Sequence, residues 1–247
     1  AVELPRAARL AALRDAAARK RKAPAEDGTR RIRVTRDARG DEQLELCGAP
    51  AEGASSVVMM AWERPYMEAL VDALAITSTD NVLEVGYGLG FSCAAIQRRQ
   101  PRRHVVVECD PGVRARIPPE GVEVVAATWQ AYLADANDNF PIHEFSAVFF
   151  DDFPIVATPS RGSRWRSFLE ALVPHIAWAA PPRRVVGYCC DAERLRAALP
   201  DGYWLERATP FELTPPADCP YVSEAAGDRC FVVVIGFDPH GVYEPGA

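Results

Sequence analysis

Four acidic residues, Glu63, Glu84, Glu108 and Asp151, sit in contexts where a carboxylate could do chemistry. Glu84 lies in the run Val82-Leu83-Glu84-Val85, directly before Gly86-Tyr87-Gly88-Leu89-Gly90, a turn with glycine at every second position. Glycines in such a turn accept dihedrals barred to residues with a Cβ and let the backbone approach a ligand closely. A strand that enters a glycine turn and leaves as a helix is shared by folds that bind NAD, FAD and S-adenosylmethionine. The dinucleotide spacing is GxGxxG, and here the third glycine is missing because position 91 is Phe. An acid two residues before the turn would repel a pyrophosphate and suits the cationic end of S-adenosylmethionine. Glu108 follows twenty residues after Gly88, at the end of the next strand-like run. There a carboxylate can accept both ribose hydroxyl protons, in NAD and S-adenosylmethionine alike. Farther on, Thr128 and Trp129 would border an adenine ring, the indole giving a flat apolar wall. A core position for Trp129 is the competing reading.

The elements that must position these residues follow from periodicity. Residues 5–22 predict a helix ending in the basic cluster Arg19-Lys20-Arg21-Lys22, a charge placement that the helix dipole favours. Residues 30–48 alternate apolar and polar on both sides of a polar turn, as in a β-hairpin, and residues 48–56 read as a linker. A helix is predicted near 60–76, then strands at 81–85, 104–109, 122–126, 145–150 and 185–188, with helices over 91–98, 164–180 and 192–199. Pro174 should bend or break the second of these helices. Short Val- and Phe-rich strands separated by helical or loop material indicate a parallel α/β sheet. Strand-like runs at 204–213 and 230–237, joined by a Pro-rich loop, would close it with an antiparallel hairpin. The expectation is a Rossmann-like α/β sheet in residues 57–247, preceded in residues 1–56 by a helix–hairpin unit acting as a lid or assembly element, self-association included.

Composition excludes several classes. Net charge is −6, with 28 Lys plus Arg against 34 Asp plus Glu, which argues against a nucleic-acid partner, since that needs a clustered basic surface. No apolar run approaches the roughly 20 residues of a membrane span, and the arginine-studded start has no signal-peptide core. Seven cysteines without a CxxC pair and four scattered histidines point to a reducing cytoplasm and to no metal.

The residues, taken in order, resemble a known family. Met59-Met60-Ala61-Trp62-Glu63-Arg64-Pro65-Tyr66-Met67, Leu83-Glu84-Val85-Gly86-Tyr87-Gly88, Glu108-Cys109, Thr128-Trp129, Phe150-Asp151-Asp152-Phe153-Pro154 and Pro215-Pro216-Ala217-Asp218-Cys219-Pro220-Tyr221 look like the guanidinoacetate N-methyltransferases and the related fungal arginine δ-N-methyltransferases. The resemblance covers about residues 40–237 and implies a class I methyltransferase that depends on S-adenosylmethionine. It implies that Glu63 grips the substrate guanidinium, that Asp151 is the second carboxylate on that group and the proton acceptor, and that Glu84, Gly86, Tyr87, Gly88, Glu108, Thr128 and Trp129 line the cofactor pocket. Elementary chemistry agrees, because a guanidinium is planar with forked N–H donors that paired carboxylates recognise.

The chain departs from the pattern in two places. Asp152 stands where threonine is expected. After the fifth strand, where the family has an Asn-Leu-Thr-Ser type segment facing the substrate carboxylate, this chain has Cys189-Cys190-Asp191-Ala192. An acid at that point disfavours a carboxylate-tipped substrate and could welcome an ammonium, placing Asp191 and Ala192 among the substrate-binding candidates; Asp191 capping the next helix is the alternative. The expected substrate is therefore a guanidine larger or more cationic than guanidinoacetate, such as arginine or an arginine-derived natural-product intermediate. Guanidinoacetate itself, a protein or peptide arginine, another acceptor such as a phenol or amine, a nicotinamide-dependent oxidoreduction and a non-catalytic binding module are the competing readings.

Overall fold

The computed structural model describes residues 31–48, 56–134, 145–152, 161–172, 184–217, 219–220 and 229–237. The predicted helix over 5–22 with its basic cluster, Pro174, Asp218 and Tyr221 lie outside the described residues, as does most of the linker. The hairpin forms as read: β1 (Ile32–Arg36) pairs antiparallel with β2 (Glu42–Leu46). A third strand, β3 (Val57–Met60), joins β2 and replaces the start of the helix expected near 60–76. The β-branched pair Val57-Val58 favours the sheet, and Pro65 fits only the first turn of a helix. The chain accordingly passes through a 3₁₀ turn at Ala61–Glu63 and enters α1 (Arg64–Ala73). Because β3 belongs to the small sheet, that sheet spans the boundary expected at residues 56–57.

The main sheet runs through β4 (Asn81–Val85), β5 (Arg103–Val107), β6 (Glu123–Val125), β7 (Ala147–Phe150), β8 (Arg184–Gly187), β9 (Tyr203–Glu212) and β10 (Arg229–Phe237). Its order is β6-β5-β4-β7-β8-β10-β9, parallel from β6 to β8, with β10 antiparallel to β8 and to β9. The intervening helices are α2 (Phe91–Arg98), α3 (Pro111–Arg114), α4 (Trp129–Ala134), α5 (Arg161–Leu172) and α6 (Ala192–Ala198). The structure thus starts α5 three residues before the expected Arg164, and its end is described only to Leu172.

Helices cover both faces, and the strands alternate accordingly. Val82 of β4 and Val232 and Val234 of β10 join one apolar cluster with α1 and α2, whereas Leu83, Val85, Val233 and Ile235 join the other with α4 and α5. Each fully buried Leu, Val or Phe contributes about 1.5–3 kcal/mol. Tyr66 ties α1 to the sheet with its hydroxyl, which donates to the Phe231 carbonyl at 2.8 Å and accepts from the Cys189 amide at 3.1 Å. Removing that hydroxyl leaves two buried backbone groups unsatisfied. Tyr66→Phe is expected to lose about 1–3 kcal/mol, seen as a melting temperature several degrees lower; an unchanged melting point would show that α1 is held by apolar packing alone.

Candidate active site

The order of the sheet puts a switch point between β4 and β7, since β5 and β6 lie to one side of β4 and β7 and β8 to the other. Open α/β sheets bind ligands at the carboxyl ends of strands beside such a point. Four strand ends are laced together there by three backbone bonds. The Gly86 amide donates to the Val107 carbonyl at 3.0 Å, the Asp151 amide to the Val85 carbonyl at 3.0 Å, and the Glu108 amide to the Val125 carbonyl at 3.1 Å.

The glycine turn is closed by protein on both flanks. Gly86 has φ +83°, and a Cβ there would stand 2.1 Å from the Asp151 carbonyl oxygen. Gly88 has φ +54°, and its Cβ would stand 2.5 Å from Sδ of Met59. That same sulfur accepts a hydrogen bond from the Leu89 amide at 3.3 Å. The glycines therefore answer first to Asp151 and Met59, so a side chain at either position would push the turn off both neighbours.

Glu108 meets the turn from β5. Its Oε2 accepts from the Tyr87 amide at 3.0 Å and its Oε1 from the Asp110 amide at 2.7 Å. Burial pushes its carboxyl above the ordinary glutamate value, and the backbone donors pull the other way. Each oxygen of a carboxylate can accept a second bond, so this acid at a strand end fits the two hydroxyls of a ribose. With a tight glycine turn at the switch point and a buried acid on the adjacent strand, the residues present fit S-adenosylmethionine.

The small sheet is fastened to this edge. Asp110 caps α3 through the Gly112 and Val113 amides and accepts from the Ile32 amide of β1 at 2.9 Å. Arg116 pairs with Glu42 of β2 at 2.7 Å, and the Tyr87 hydroxyl donates to the Arg116 carbonyl at 3.2 Å.

The guanidinium candidates lie on or close after the two segments that contact the turn. Glu63 is buried just before α1, and its Oε1 accepts from the Met60 amide at 2.8 Å. It lies four residues beyond Met59. Asp151 directly follows β7, with its backbone against Gly86. The neighbouring cation Arg64 lies over the Phe91 ring at 4.6 Å.

Other sequence-predicted residues take different places. Glu84 is fully buried, and its two oxygens bond Ser92 and His104; strand alternation turns it toward α2. Trp129 is a core aromatic, edge-on to Phe150 and Phe168 at centroid distances of 6.0 and 5.4 Å. Thr128 is exposed, and its hydroxyl accepts from the Ala131 amide at 3.2 Å. Asp191 is exposed and caps α6 by accepting from the Arg194 amide at 2.9 Å, while Ala192 is buried. Asp152 accepts from the Trp129 indole at 2.9 Å and from Arg164 Nε at 3.1 Å, so it knits β7 to α4 and α5. The contacts of Met59, His104 and Arg164 carry no signal in the sequence, because each acts through a tertiary contact with no local pattern. Burial raises the thiols of Cys109 to about 11 and Cys189 to about 12, so neither is a thiolate nucleophile near neutral pH.

The sequence profile of guanidinoacetate N-methyltransferase matches residues 33–192, more than half of the chain. The chain belongs to the guanidinoacetate N-methyltransferase family. Two curated proteins named protein arginine N-methyltransferase 2 are similar: that of Saccharomyces cerevisiae, 30% identical over 106 residues, and that of Aspergillus oryzae, 33% identical over 102. Each match covers 39% of this chain and only 26% and 24% of the relative, respectively. Among solved structures, a Streptococcus mutans protein assigned as a methyltransferase dependent on S-adenosylmethionine shares the fold with TM-score 0.55 at 8% identity, over 87% of this chain and 56% of that one. The sheet is thus the Rossmann-like class I methyltransferase sheet with a C-terminal antiparallel hairpin. Among the described residues, no helix is long and apolar enough to cross a membrane.

Two outcomes follow from the geometry. Gly86→Ala is expected to abolish S-adenosylhomocysteine binding in calorimetry while far-UV circular dichroism stays native; retained binding would mean that the turn is not pinned by Asp151. Only an ionised Glu108 can accept both hydroxyls, so affinity should be full above its raised pKa and fall as pH drops through it. Since that pKa lies above the ordinary 4.5, the loss should begin above pH 4.5, and Glu108→Gln should flatten the profile.

Proposed function

We propose that the chain methylates a guanidino nitrogen of a small molecule larger or more cationic than guanidinoacetate, with arginine or an arginine-derived natural-product intermediate as the substrate class. One observation supports the reading: Glu63 and Asp151 come from different elements, yet both elements pack on the same glycine turn, Met59 of the strand before Glu63 on Gly88 and the Asp151 carbonyl against Gly86. When bound, S-adenosylmethionine supplies an electrophilic methyl group. The protein's task is then to hold a cation beside a second positive charge. Glu63 and Asp151 bind the guanidinium through charge-assisted hydrogen bonds and offset its repulsion by the sulfonium. They draw electron density toward the reacting nitrogen, and Asp151 accepts the proton that this nitrogen releases. Holding the reacting atoms about 3–3.5 Å apart supplies much of the remaining acceleration.

The size preference rests on the segment after β8. Asp191 is exposed and spends one acceptor on capping α6; in this reading its remaining charge disfavours a short, carboxylate-tipped substrate. The similarity to protein arginine N-methyltransferase 2 makes a protein arginine the second reading, and the small share of those relatives' length covered by the match leaves it behind the first. A reducing cytoplasm is the proposed setting, supported by seven cysteines without a CxxC pair.

The deciding experiment is a panel of guanidinoacetate, arginine, agmatine and an arginine-containing peptide with labelled S-adenosylmethionine, read by mass spectrometry. Arginine or agmatine should turn over fastest, and Glu63→Gln and Asp151→Asn should lower kcat by about 10²–10⁴-fold. Fastest turnover of guanidinoacetate would overturn the size preference. Undiminished transfer by both variants would overturn the guanidinium role.

A further inference from the structure

Below the glycine turn lies a buried polar cluster that methyl transfer does not use. Glu84 is 0% exposed, His104 2%, Cys93 2% and Ser92 4%. Its hydrogen positions follow from a single acceptor. The Gly121 carbonyl can only accept, so the Gln97 atom 3.0 Å away is the amide nitrogen. That nitrogen also lies 2.8 Å from Nδ1 of His104, which must therefore accept. A neutral imidazole accepting at Nδ1 carries its proton at Nε2, and Nε2 stands 2.8 Å from Oε2 of Glu84. The Ser92 hydroxyl donates to the other oxygen, Oε1. The chain Gly121–Gln97–His104–Glu84–Ser92 is thus a complete series of donors and acceptors.

Glu84, Cys93 and His104 also place one potential metal-ligand atom each within 4.8 Å of one another. The donor set argues against a metal cage, since the Nε2 that faces the group carries a proton, while burial and the Glu84 carboxylate push the Cys93 thiol up.

We propose that His104 and Glu84 are positioning residues for the cofactor. This rests on the reading that the glycine turn holds S-adenosylmethionine. Glu84 stands at the end of β4 just before the turn and Ser92 in the first turn of α2 just after it, so their hydrogen bond closes the loop Gly86–Gly90 at its base. His104, on β5, holds the Glu84 carboxylate in the orientation that receives Ser92, and Gln97 holds the His104 ring. Glu84 therefore acts on the cofactor through the shape of the turn, without touching the sulfonium.

The test compares S-adenosylmethionine with S-adenosylhomocysteine, which lacks the sulfonium charge, by calorimetry on the ligand-free protein and on Glu84→Gln, His104→Gln and the double variant. Both single variants should weaken both ligands by the same factor, about tenfold or more, and the double variant should be little worse than either. Selective loss of S-adenosylmethionine affinity would mean direct contact with the sulfonium and would overturn the proposal. Unchanged affinity for both ligands, whatever the melting temperature, would reduce the cluster to core support and overturn it too. If the unvaried protein bound neither ligand, the methyltransferase reading itself would fail. Should the variants not fold, a long-range proton–nitrogen NMR spectrum of the unvaried protein decides: it should contain a slowly exchanging histidine in the Nε2–H tautomer, and a buried Nδ1–H or imidazolium ring would contradict the relay.

Discussion

The site depends on one close approach, that of the Gly86 backbone to the carbonyl of Asp151. A Cβ at residue 86 would stand 2.1 Å from that oxygen, so only glycine lets the end of β4 and the end of β7 come this near. The approach is fixed by the parallel register, with Val85 opposite Phe150, and by the bond from the Asp151 amide to the Val85 carbonyl. A cofactor turn and an acidic residue that would serve the acceptor are thereby set side by side by backbone geometry.

The second flank comes from outside the main sheet. Met59 of β3 lays its sulfur against Gly88 and Leu89, and Glu63 follows within one 3₁₀ turn of the same strand. The position of Glu63 thus depends on how the small sheet docks. That docking is fixed by Asp110, which caps α3 and binds the Ile32 amide, and by α1, which Tyr66 anchors to β10 and to Cys189 just after β8. A thioether suits the contact with the turn, being a flexible and polarisable gap filler. Asp152 braces the far side by joining Trp129 and Arg164, which keeps that carboxylate occupied by partners from the protein.

Much of this was legible in the residues. The run from Asn81 to Arg98 reads as strand, turn and helix because each part carries its own signal: apolar β-branched residues, alternating glycines, then helical spacing. The hairpin around Gly40 was equally plain. β3 was not, since Val57-Val58-Met59-Met60 is a short apolar run that merges with the apolar face of the following helix. Glu84 shows where local reading ends. Its place before the turn suggested a ligand contact, but which face of a strand a residue takes depends on register, and the partner that claims it, His104, is twenty residues away on another strand. Trp129 is similar: its type suits a ring wall or a core equally, and only Phe150 and Phe168 decide. The Asp191 cap is legible in the sequence because capping is local, three residues from acceptor to donor.

The central claim is that Glu63 and Asp151 together hold a guanidinium beside the glycine turn. A crystal structure of the chain with S-adenosylhomocysteine and L-arginine tests it most directly. The account predicts carboxylate oxygens of both residues within hydrogen-bond distance, about 2.7–2.9 Å, of the guanidinium nitrogens, with one of those nitrogens facing the cofactor sulfur. A guanidinium held by other groups, with Glu63 and Asp151 engaged only by the protein, would contradict it.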